Sequence, residues 1–153
     1  DGILIEKMDE NAGYGLRIID GKAVFALKHA GKEQRLSTTA GLADGDWHHL
    51  IVEADRVAKT LTAYVDGGQD AEGQGLGPVS LANDSDLFVG GSPDGAHFTG
   101  AIDFMRLCQG TLADAQTTIE ELYAWQFNGP QLRDFAGKEP MGKGRDAGAI
   151  EAR

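Results

Sequence analysis

Three stretches of this sequence carry side chains that could do chemistry. Trp47-His48-His49 sets two imidazoles beside an aromatic ring. On a strand, neighbouring side chains point to opposite faces, so His48 and His49 cannot ligate one ion together. The pattern predicts a buried Trp47, one histidine hydrogen-bonded inside and the other near the surface. His29 and His97 are isolated in sequence and can join a site only through the fold. Glu53-Ala54-Asp55 puts two carboxylates on one strand face. Glycosidic cleavage with retention needs two carboxyl groups about 5–5.5 Å apart, one as nucleophile and one as acid/base. Position 57, the next on that face, is Val57, and Ala58 follows it. Two carboxylates on a polar strand face are ordinarily just solvated, and no catalytic residue is assigned. Asn83-Asp84-Ser85-Asp86, with Asp94 a few residues on, is the densest set of oxygen ligands in a loop. Ca²⁺ takes six to eight oxygens, and D-x-D spacing in a turn can converge several. Asn83, Asp84, Asp86 and Asp94 are therefore the metal candidates, against the alternative of an Asx-rich turn with no ion.

Two further motifs point away from chemistry. Cys108 lies in an apolar run between Leu107 and Gln109, with no activating group near it in sequence, and is expected to be a buried, inert thiol. Gly73-Gln74-Gly75-Leu76-Gly77 lacks the Lys-Ser/Thr of a phosphate loop, which argues against nucleotide binding.

The elements that must position these residues are strands. The chain has 153 residues, one domain's length, and a formal net charge of −10. That charge repels phosphate backbones and anionic membrane surfaces, so nucleic acid is excluded as a partner and cations, above all Ca²⁺, are favoured. No apolar run approaches the length of a membrane span. With a single cysteine there is no internal disulfide and no zinc site built on paired cysteines. Gly numbers 22 against 4 Pro, which predicts many tight turns.

Short apolar runs alternate with turn residues at roughly ten-residue spacing, the pattern of an antiparallel sandwich or barrel. Strands are expected at Ile3 to Met8, Tyr14 to Ile19, Ala23 to Lys28, Gln34 to Thr39, His48 to Asp55 and Thr60 to Val65. More are expected at Val79 to Ala82, Leu87 to Gly90 and Phe98 to Gln109. Asp20-Gly21 and Asp66-Gly67 are hairpin signals. The Gly-rich residues 69 to 78 read as an exposed loop. Thr117 to Phe127 breaks the pattern, with Ile119, Leu122 and Tyr123 on one helical stripe and Thr118 and Glu121 fitting a capping box. Tyr123 and Trp125 on that helix are expected to pack on the sandwich. Residues 129–153 read as an extended tail rich in Gly and charge.

Three segments in order resemble the laminin-G-like domains of the concanavalin A-like lectin/glucanase superfamily, bacterial type. They are Gly45-Asp46-Trp47-His48-His49-Leu50, Leu61-Thr62-Ala63-Tyr64-Val65-Asp66-Gly67, and Gly100-Ala101-Ile102-Asp103-Phe104-Met105-Arg106-Leu107 with the helix after it. The resemblance implies an all-β fold, an antiparallel jelly-roll β-sandwich with one short C-terminal helix, over residues 1–128. The retaining glucanases of this superfamily carry E-x-D-x-E or E-x-D-x-x-E on one strand, a pattern that Glu53-Ala54-Asp55 leaves incomplete.

The resemblance further implies a non-catalytic recognition module of a larger exported bacterial protein, acting outside the cytoplasm. It would bind a glycan or a surface protein at the loop rim or concave sheet, with Ca²⁺ as the candidate ion. The family's opening strand, of the form F-T-L-S-A-W-V, has no counterpart ahead of Ile3. A longer parent chain is therefore expected, with that strand supplied by another chain or domain or replaced by the tail, because an open edge exposes unpaired backbone groups. Two alternatives stand beside this reading. One is a fragment of a polysaccharide-cleaving enzyme on the same sandwich; the other is a purely structural module that packs on a partner chain.

Overall fold

The computed structural model describes residues 1–93, 95–108 and 110. The domain is all-β, with two antiparallel sheets packed as in a jelly-roll sandwich. In chain order the strands are β1 (Gly2–Met8), β2 (Gly13–Ile19), β3 (Lys22–His29), β4 (Lys32–Ser37), β5 (Leu50–Asp55), β6 (Thr60–Val65), β7 (Gly68–Gln74) and β8 (Phe88–Val89). One sheet runs β4-β3-β2-β1-β8 and the other β5-β6-β7.

Register follows from turn chemistry and from the period-two pattern. Three hairpins close with two residues each: Asp20-Gly21, Ala30-Gly31 and Asp66-Gly67. Both residues of each turn have positive φ, the backbone that matches the twist of paired strands. Leu16 faces Phe25, and Phe25 faces Leu36, so one row of large apolar side chains crosses three strands. Phe25, Leu27 and Leu36 from the larger sheet meet Leu61 and Ala63 of β6 in the shared core. The opposite face of the larger sheet carries Arg17, Lys28, Glu33 and Arg35 together with Ile19, Val24 and Ala26. Its Glu6 carboxylate accepts from Arg17 Nε at 2.8 Å.

The long crossover from β7 to β8 is tied down by polar clamps. Arg56 donates to the Gly77 and Val79 carbonyls. His29 Nδ1 lies 2.9 Å from the Ser80 carbonyl. Asn83 donates through Nδ2 to the carbonyls of Lys7 (3.3 Å), Ala12 (3.2 Å) and Leu81 (3.2 Å). Leu76 and Leu81 are thereby laid against the core.

Several expectations change. Residues 68–74 form strand β7 and not a loop. Glycine there permits close layering, since a Cβ on Gly73 would lie 3.1 Å from Leu36 Cδ1 in the other sheet. The strand expected from His48 begins at Leu50, and Val79 to Ala82 is a clamped crossover without ladder pairing. Phe98 to Cys108 pairs with no neighbour as a strand; the nearest pairing is the Ile3–His97 bridge. A strand exists only through a ladder of such pairs, and here the Phe98 N–H bond to the Gly90 carbonyl, at 2.9 Å, does not extend into one among the described residues. Cys108 is accordingly exposed, not buried. The helix expected at Thr117 to Phe127, with Tyr123 and Trp125, and the tail at 129–153 lie outside the described residues.

Candidate functional site

Trp47, expected inside, is 61% exposed. It stands three residues before the first paired residue of β5, in the loop that links the two sheets, so neither layer covers it. That loop is pinned at both ends. At its start, the Asp70 carboxylate accepts from Thr39 N (2.6 Å), Thr39 Oγ1 (2.7 Å) and Ala40 N (3.0 Å). Desolvation pushes the Asp70 carboxyl up, but these bonds and the charge of Lys22 outweigh it and hold it below the usual carboxylate range.

At its end, His48 lies between two carboxylates. Its Nδ1 is 2.8 Å from Asp66 Oδ2 and its Nε2 is 3.0 Å from Asp44 Oδ1. Hydrogen bonding to Asp66 and then Asp44 raises the imidazole above its ordinary range, against a smaller opposing effect of burial. Asp66 also binds the next residue through its other oxygen, accepting from His49 N at 2.8 Å, while its own N–H donates to His49 O at 2.8 Å. Burial pushes His49 the other way, toward the neutral ring. The imidazole of His48 fills the space between the carboxylates, so this trio is a hydrogen-bonded clamp and not a cation cage. The described residues contain no group of three or more His, Cys, Asp and Glu side chains arranged to hold a metal ion.

The other sequence candidates are placed as follows. Asn83 turns its amide nitrogen toward β1, and its Oδ1 accepts from Ser85 N at 3.0 Å. Asp84 and Asp86 flank that turn, and Asp94 lies outside the described residues. Asp55 Oδ1 caps the β5–β6 turn, accepting from Val57 N and Ala58 N at 2.8 Å each. It therefore serves the turn rather than a reacting pair with Glu53. Glu53 stands in register with Thr62, and Thr62 with Glu72, on the outer face of the smaller sheet. Tyr64 on that face is raised by burial and by the charge of Glu53. Sequence reasoning missed the Asp44–His48–Asp66 clamp. The D-G hairpin signal at Asp66 was visible, but not that the turn folds back onto His48.

A laminin-G family model, described as the concanavalin A-like lectin/glucanases superfamily, matches residues 1–117. The chain belongs to this family. Laminin-G-like domains are typically non-catalytic binding modules. This domain is 30% identical over 99 residues to the mouse (Mus musculus) basement membrane-specific heparan sulfate proteoglycan core protein. The alignment covers 64% of this chain and 3% of that protein, so the chain spans a small piece of its relative. The fold is shared with the binding domain of Paraclostridial Mosquitocidal Protein 1, at TM-score 0.58 and 21% identity, over 90% of this chain and 34% of that one. An S-layer domain-containing protein from Clostridium thermocellum is similar at TM-score 0.44 and 26% identity, over 75% of this chain and 58% of that one. No helix among the described residues is long and apolar enough to cross a membrane.

Proposed function

We propose that this laminin-G-like domain is a non-catalytic recognition module that works outside the cytoplasm and takes a neutral glycan at the rim bearing Trp47. One observation carries the reading: a tryptophan 61% exposed in the loop that joins the two sheets, with Asp44 and Asp46 just before it in the same loop. A flat ring offers a stacking surface to the apolar face of a sugar, and carboxylates accept hydrogen bonds from its hydroxyls. The same carboxylates, and the net charge of −10, disfavour sulfated or carboxylated sugars. Ca²⁺ is part of the proposal at the Asn83–Asp86 turn, where Asp84 and Asp86 supply the oxygens.

A glycan panel holding neutral and acidic members tests it. Neutral glycans are expected to bind, and Trp47→Ala is expected to weaken binding about tenfold or more, the scale of a central aromatic contact. Equal binding by W47A removes the rim from the proposal, and a panel with no hit removes the glycan. Melting curves in CaCl₂ and in EDTA test the ion: superimposable curves end the calcium part.

A second reading has its own observation. Leu87, Val89, Ile102, Phe104 and Leu107 are all exposed, an apolar set suited to a protein partner or to a strand from another chain or domain. Sedimentation over a range of concentrations, for the native protein and for Leu107→Ser, reports whether this set mediates association.

A further inference from the structure

The contacts beside Trp47 tie its placement to a proton. A neutral imidazole has one N–H, so only the imidazolium can donate to both Asp44 and Asp66. The two carboxylates are not equally held. Asp66 sits in a two-residue turn and is fixed by two further bonds to the His49 backbone, each 2.8 Å. Asp44 is half exposed, and the other hydrogen bond it accepts comes from its own loop, from Asp46 N at 2.9 Å. Gly45, next to it, has φ +95 and open space around its Cα. Loss of the proton leaves Nδ1–H on Asp66 and turns the Nε2 lone pair toward Asp44 Oδ1. Two electron pairs then face each other, and the weaker tether is the one that parts.

We propose that His48 is a proton-operated latch: protonated, it docks the Asp44–Trp47 loop onto the β6–β7 turn; neutral, it releases that loop and lets Trp47 leave its presented position. The groups facing His48 are Asp44 from its own loop and Asp66 from the turn. Both act in the same sense and favour the imidazolium. Its neighbour His49 is pushed in the opposite direction, toward the neutral ring, by burial. The latch is closed below the raised midpoint of His48 and opens as pH climbs through it. That the latch also governs ligand affinity rests on Trp47 being the contact residue proposed above.

NMR from about pH 5 to about pH 9, the range in which a histidine titrates, tests the two claims apart. The Trp47 indole N–H is assigned by its loss in Trp47→Phe. Its signal is expected to move with the same midpoint as the His48 ring nitrogens, and that midpoint should lie above about 6.5. Asp44→Asn replaces the carboxylate by an amide that can offer oxygen to the protonated ring and N–H to the neutral one. In D44N the Trp47 signal is expected to lose its pH dependence while the melting temperature stays close to native, since residue 44 is exposed. A Trp47 signal that stays flat through the His48 titration overturns the latch, as does unchanged coupling in D44N. For a neutral glycan that binds, affinity is expected to fall about fivefold across the midpoint. Coupled signals with a flat affinity uphold the latch and overturn Trp47 as the ligand contact.

Discussion

Thr38 shows how much one side chain can hold. It is 2% exposed, and its hydroxyl accepts from Ala23 N and donates to the Ala40 carbonyl, each at 3.0 Å. Its own N–H donates to the Ala23 carbonyl at 2.9 Å. Thr38→Val keeps the shape and strands the Ala23 N–H without a partner. Urea unfolding is expected to report a loss of about 1–3 kcal/mol, and Thr38→Ser a smaller one. Nothing in the run Ser37-Thr38-Thr39 distinguishes this residue, because its partner lies on another strand. The same applies to His48. The letters Trp47-His48-His49 predict opposite faces of a strand, yet both histidines precede the ladder and their chemistry comes from Asp66. Asp55 teaches the converse: two acids at alternate positions read as solvated on a polar strand face, and a local turn absorbs one of them.

At the level of elements, the hairpins were legible because two-residue turns demand positive φ and D-G supplies it. Less legible were glycines that serve packing instead of turns. Gly13 opens β2 at φ +142, and a Cβ there would lie 2.2 Å from the Lys7 carbonyl oxygen and 2.4 Å from Met8 Cα. These are backbone atoms of the paired strand and cannot swing aside. Gly13→Ala should therefore loosen the β1–β2 pairing and cost about 1–3 kcal/mol, seen as a lower melting temperature. Gly31→Ala, at φ +72 in open space, is the control and should cost about 1 kcal/mol or less. Of the expected loop at 69 to 78, residues 69–74 misread for the same reason: glycine signals a turn by composition, while Gly73 admits Leu36 from the facing sheet.

For the molecule as a whole, stability depends on two sheets of unequal width sharing one core. Leu61, with no exposed surface, lies at the centre of that contact against Phe25, Leu27 and Leu36. Leu61→Ala removes apolar volume where both layers meet and is expected to cost about 2–5 kcal/mol in chemical denaturation. Hydrophobic alternation and turn residues alone determined that this chain makes antiparallel strands, and roughly where β1 to β6 begin and end. The period of two dictates which side chains share a face, and that is a local property. Only the tertiary structure decided that Trp47 faces solvent, that Asp66 reaches His48, and that Asn83 holds the crossover against β1. Each of those depends on which strand ends lie side by side, and hydrogen bonds between residues far apart in sequence leave no mark on the local pattern.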